Sequence, residues 1–130
     1  MKLHHFGIAV ESIAKSAEQY RAALGLGLEG DIIEDPIQKV RVAFAPTGNG
    51  SFVEFVEPMG DDSPVKRLLQ KGGGLYHVCY VVPDIKAAIE RVQKAGGRLI
   101  SGPVPARAFD GRHIAWVYTP DRSLIEFLAE

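Results

Sequence analysis

The 130-residue chain has a single cysteine, Cys79. One thiol cannot close an intrachain disulfide, which fits a reducing compartment, and its simplest role is that of a small buried hydrophobe. Long apolar runs are also missing. No stretch approaches the roughly 18 uninterrupted apolar residues of a membrane span, and the opening MKLHHFGIAV has no apolar run followed by a cleavage-like segment. Neither membrane insertion nor export is expected, and the cytoplasm is the expected location. An excess of one charge is absent too: 15 basic and 16 acidic residues leave a formal net charge of −1. The basic residues are dispersed apart from short clusters at Lys66-Arg67 and from Arg107 to Arg112. That excludes an extended track for nucleic acid, though not a small anionic ligand.

What the chain has is an ordinary globular composition, 46% hydrophobic, and a repeat. Shifted by 72 positions, HFGIAVESIAKSAEQYRAALGLGLEG (5–30) falls without a gap on HVCYVVPDIKAAIERVQKAGGRLISG (77–102). The same shift sets VRVAFAPTGNGSFVEFVEP (40–58) on RHIAWVYTPDRSLIEFLAE (112–130). Of the 26 + 19 = 45 compared positions, 12 are identical, against about three for random pairing at ordinary composition. The chain therefore reads as one domain over residues 1–130, built from two copies of a module, 5–58 and 77–130, joined by a connector, 59–76.

Local signals give both copies the same element order. A strand (5–10, 77–82) precedes a helix capped by Ser12 or Asp84 and ended by Gly25 or Gly96-Gly97. Three strand-like runs follow each helix, near 28–34, 38–46 and 51–57, and near 98–101, 112–118 and 123–128. Ser63 and Pro64 start a short helix in the connector. The expected fold is α+β: two βαβββ modules related by a pseudo-twofold axis, too small to be stable separately, whose sheets line one concave surface.

Two glutamates stand inside apolar strands, Glu54 in FVEFVEP and Glu126 in LIEFLAE. A lone one could point to solvent from an edge strand. Two at equivalent repeat positions, each 49 residues after a histidine (54 − 5 and 126 − 77), point elsewhere. A buried carboxylate needs a positive or hydrogen-bonding partner. Two imidazoles and two carboxylates, His5, Glu54, His77 and Glu126, suit a six-coordinate divalent ion, with two positions left for water or substrate oxygens.

On the motifs HHFGIAV, FVEFVEP, YHVCYVV and LIEFLAE the chain resembles the vicinal oxygen chelate superfamily, which includes glyoxalase I and methylmalonyl-CoA epimerase. The segment VEFVEPMGDDSPVKRLLQKGGGLYHVCYVVPDI is most similar to the epimerases. The resemblance implies one divalent ion (Ni, Co, Zn, Mn or Mg) on those four residues, a small thioester or thiohemiacetal substrate, and proton removal beside a carbonyl. It makes Glu126, with its twin Glu54, the base, and it implies a homodimer. A methylmalonyl-CoA-like thioester is the first expectation for substrate, and lactoylglutathione lyase activity the second. A metal-free binding module of the bleomycin-resistance kind is expected to lack these ligands, and iron dioxygenases use two histidines and one carboxylate. Two features depart from the epimerases: Arg41 stands where at least one has a second catalytic carboxylate, and TPDRSLIEF has the short turn of glyoxalases.

Further substrate-binding candidates are Arg41 and its repeat equivalent His113, as anchors or proton relays, and Arg107 and Arg112, flanking the turn-rich PVPARAFDGRH. Trp116, Phe44 and Phe52 read as core residues, and His4 alternates away from His5.

Overall fold

The structure, a computed structural model, describes residues 1–130. The chain divides into two compact units, residues 5–76 and residues 1–4 with 77–130.

In the first unit the strand β1 (Lys2–Ala9) leads to helix α1 (Ile13–Leu24), then to β2 (Glu29–Asp35), β3 (Val40–Pro46), β4 (Phe52–Pro58) and α2 (Pro64–Gln70). Its strands lie in the order β2-β3-β4-β1, with β1 parallel to β4 and the other neighbours antiparallel. The second unit repeats the plan with β5 (Gly74–Val82), α3 (Ile85–Lys94), β6 (Arg98–Pro105), β7 (His113–Tyr118) and β8 (Leu124–Ala129). Here the order is β5-β8-β7-β6, and β5 runs parallel to β8. The shift of 72 carries the first residue of β1, α1 and β4 onto the first residue of β5, α3 and β8.

The helices begin where their caps stand. Ser12 Oγ accepts from Lys15 N at 3.2 Å and Asp84 Oδ1 from Ala87 N at 3.0 Å, each satisfying an otherwise orphaned helix donor. Ser63 Oγ does the same for Val65 N, with Pro64 at the first position of α2. The aligned glycines at the ends of α1 and α3 serve different needs. Gly25 adopts φ +71°, a left-handed cap, whereas a Cβ on Gly97 would lie 2.5 Å from both Tyr118 O and Val92 Cγ1. In the second unit the positive φ falls one residue earlier, at Gly96.

The last hairpin of each unit closes through the same chemistry. Thr47 N donates to Ser51 O and Thr119 N to Ser123 O, while Asn49 Oδ1 and Asp121 Oδ1 accept from Ser51 N and Ser123 N at 3.2 Å. These turns fix the registers of β3 on β4 and of β7 on β8, and with them which side chains share a face.

Each sheet has a face packed on its helix. In the first unit Val10, Ile13, Ala43, Ala45 and Phe55 form the buried cluster, with Tyr20 edge-on to Phe55 at 4.9 Å. In the second, Val82, Ile89, Ala115, Val117 and Phe127 occupy the corresponding place. Full burial of a side chain such as Phe55 contributes about 1.5–3 kcal/mol, and loss of any of these residues would loosen the face that positions the opposite one.

Candidate active site

The opposite face of each sheet carries one buried histidine and one buried glutamate. In the first unit His5 pairs with Phe52 and Gly7 with Glu54 across the parallel β1–β4 ladder, so His5 and Glu54 share a face two residues out of step. His5 Nε2 lies 3.3 Å from Glu54 Oε1, and the side chains are 0% and 5% exposed. In the second unit Cys79 stands opposite Glu126, and His77 Nε2 lies 3.4 Å from Glu126 Oε2 at 1% and 3% exposure. The residue facing each glutamate across the parallel ladder is small, Gly7 or Cys79. This leaves the histidine two residues earlier room to reach the carboxylate, and explains the small residues that follow His5 in HHFGIAV.

Two details separate the halves. The thiol of Cys79 lies 3.5 Å from Glu126 Oε1, within the range of a weak S–H donor, while Gly7 offers Glu54 no side chain. The neighbouring aromatic also differs. Phe44 pairs with Glu54 across the antiparallel β3–β4 ladder and stands edge-on to His5 at 5.7 Å; Trp116 pairs with Glu126 and stands edge-on to His77 at 4.7 Å. Phe44, Phe52 and Trp116 are half-buried rather than core residues. Phe44 and Trp116 are themselves 72 positions apart, a signal available in the sequence, and the hairpin registers set each opposite a strand glutamate.

The donor chemistry of each pair fits a divalent cation. Two ligand atoms at right angles on an ion with bonds of ~2.1 Å lie about 3.0 Å apart, close to the 3.3 and 3.4 Å of the two pairs.

The remaining candidates lie elsewhere. Arg41 pairs with Glu57 on the face that packs against α1, where its Nη1 meets Glu57 Oε2 at 3.2 Å and its Nε meets Glu34 at 3.5 Å. Glu57 in turn accepts from Ile13 N at 3.0 Å, tying β4 to the start of α1. His113 shares its face with Ala115 and Val117, which pack against α3, and is exposed. Neither side chain joins the histidine–glutamate face of its sheet, because the hairpin registers put Val42 and Ile114 there instead. Arg107 lies in a single 3-10 turn, Arg107–Phe109, within the turn-rich segment, and Arg112 Nε donates to Ala129 O at 2.9 Å. His4 stands edge-on to Phe109 at 5.3 Å.

The profile of the Glyoxalase/Bleomycin resistance protein/Dioxygenase superfamily matches residues 4–116. The chain belongs to this superfamily. Among its curated members, the ethylmalonyl-CoA/methylmalonyl-CoA epimerase of Cereibacter sphaeroides is 34% identical over 122 residues, covering 92% of this chain and 90% of that protein. Among solved structures, a hypothetical protein of Bacillus halodurans superposes with a TM-score of 0.87 at 34% identity, over 99% of this chain and 94% of the other. A variant of the methylmalonyl-CoA epimerase of Streptomyces coelicolor, in complex with 2-nitronate-propionyl-CoA, gives 0.82 at 26% identity, over 100% and 97%. The α+β fold of two βαβββ modules expected from the repeat is thus the fold of the chain, and it is glyoxalase-like, as the resemblance implied. No helix is long and apolar enough to cross a membrane.

Proposed function

We propose that the chain is a divalent-metal-dependent epimerase that moves a proton at the carbon α to the carbonyl of a methylmalonyl-CoA-like thioester. The observation that carries this reading is the buried histidine–glutamate pair found at the same repeat position in both units. The likeness to epimerases over nearly the whole chain supports the substrate class.

In this reading His5, Glu54, His77 and Glu126 hold one ion, of the Ni, Co, Zn, Mn or Mg class. A bound dication supplies stabilisation of the negative charge that develops on a carbonyl oxygen when its α-proton leaves. The chain's own groups do the rest. Glu126, or its twin Glu54, takes the α-proton on a carboxylate oxygen and returns it, as a positioned general base does. Val42, Phe44 and Phe52 beside Glu54, and Ile114 and Trp116 beside Glu126, form apolar surroundings that keep water from competing for that proton. Val42 is the β3 side chain beside Phe44 on this face, so β3 adds no carboxylate there and the reading assigns both proton transfers to the strand glutamates. In this reading the enzyme acts on a small molecule in the cytoplasm, and as a homodimer in line with the resemblance.

The test is proton exchange. Incubation with one methylmalonyl-CoA epimer in deuterated water, with each divalent ion in turn, is expected to place deuterium at C2. No exchange with any ion, together with thioester formation from a methylglyoxal–glutathione adduct, would replace the epimerase by a lactoylglutathione lyase.

A further inference from the structure

We infer that Phe44 and Trp116 are positioning residues that fix the orientation of the two ligand imidazoles, a role that rests on the metal-site reading above. The two aromatics occupy the same repeat position, and each sits on the strand flanking its glutamate on the side away from the histidine. Their rings nevertheless reach the imidazoles across the glutamate strand, at 5.7 Å and 72° for Phe44 with His5 and at 4.7 Å and 83° for Trp116 with His77. A T-shaped contact sets the positive edge of one ring against the π-face of the other and is directional, so it resists rotation of the imidazole about its terminal torsion. That torsion decides whether Nε2 points at the carboxylate.

Packing alone does not account for the pair. Both rings are partly exposed, on the face away from the helix-packed clusters that hold each unit together. Hydrogen-bonding groups that orient a ligand histidine are commonly worth about 10–100-fold in metal affinity, and an edge-to-face ring contact is weaker, about two- to tenfold. The closer contact belongs to Trp116, so its loss has the larger effect.

Three variants separate orientation from bulk: Trp116→Phe retains a ring edge, while Trp116→Leu and Phe44→Leu retain apolar volume without one. Co²⁺ affinity by calorimetry is expected to fall about five- to tenfold in Trp116→Leu, by less in Phe44→Leu, and to return to within about twofold of wild type in Trp116→Phe. Histidine ¹⁵N–¹H spectra of the metal-free proteins provide the second measurement. His77 is expected to show one ring state in wild type and Trp116→Phe, and averaged resonances in Trp116→Leu. Wild-type affinity or a single His77 ring state in folded Trp116→Leu overturns the inference. If wild type itself binds no Co²⁺, the metal-site reading fails, and the His77 spectra alone still decide whether Trp116 orients the ring.

Discussion

The Glu54 carboxylate is held 3.3 Å from His5 Nε2 by a two-residue offset across a parallel ladder, with Gly7 standing opposite the glutamate. The same offset, across Cys79, sets Glu126 3.4 Å from His77. Two duplicated strands thus present the same buried acid–imidazole pair, which has a cost in any fold that does not use it.

Catalysis should depend on both carboxylates. Glu126→Gln keeps size and burial but cannot accept the α-proton as a base, so deuterium wash-in at C2 should fall by about 10²-fold or more. Glu54→Gln should lose activity as well, because it removes one of the two charges that balance a dication. Circular dichroism should show both variants folded; full exchange activity in Glu126→Gln would remove it from the reaction.

Arg41 should matter little to turnover. Its ion pairs with Glu57 and Glu34 lie on the α1-packed face and its side chain is 38% exposed, so Arg41→Ala should cost at most about 1 kcal/mol of stability. Steady-state kinetics should leave KM for the thioester within about twofold of wild type, a change below about 0.5 kcal/mol. A tenfold rise in KM with unchanged stability would return Arg41 to the substrate.

Gly97 and Gly27 offer a paired test of packing. Alanine at Gly97 drives a Cβ to 2.5 Å from Tyr118 O and Val92 Cγ1, whereas at Gly27 it meets nothing within 4 Å. Gly97→Ala should lower stability by about 1–3 kcal/mol in denaturant titration, and Gly27→Ala should leave it nearly unchanged.

The carboxyl of Asp62 is held below its ordinary value of 3.8, first by the hydrogen bond and then by the charge of Lys39. A depressed acid stabilises the fold fully above its unfolded value and loses that contribution as pH falls through the folded one. The NMR titration midpoint of Asp62 should therefore rise toward 3.8 in Lys39→Ala, and the difference should shrink with added salt, since both groups are exposed.

Much of this was legible before any coordinates. The shift of 72 residues marked out the repeated order of elements, the helix caps and the matched positions of His5, Glu54, His77 and Glu126, because duplication preserves spacing even where side chains diverge. The faces of β3 and β7 were harder. A slip of one residue in the β3–β4 hairpin would have turned Arg41 to the face that carries Glu54 and sent Phe44 to the helix, and the turn residues that fix the register, Thr47 to Ser51, do not declare it in sequence. Phe44 and Trp116 were read as core because apolar aromatics usually are; their partial exposure beside the histidines depends on that same register. Most of β2 (31–35) and the end of β6 (103–105) fall outside the repeat's two aligned windows, and both strands show register irregularities against their neighbours, so their ends could not be read from the shift.

The central claim is that four side chains from two duplicated halves hold one ion. Equilibrium dialysis against Co²⁺ or Ni²⁺ with metal analysis, on wild type and on His5→Ala, Glu54→Gln, His77→Ala and Glu126→Gln, tests it most directly. The account predicts one tightly held ion per chain in wild type and a large loss of affinity in every variant, whichever half carries the change. Binding that survives the loss of either histidine–glutamate pair, or no binding in wild type, would contradict it.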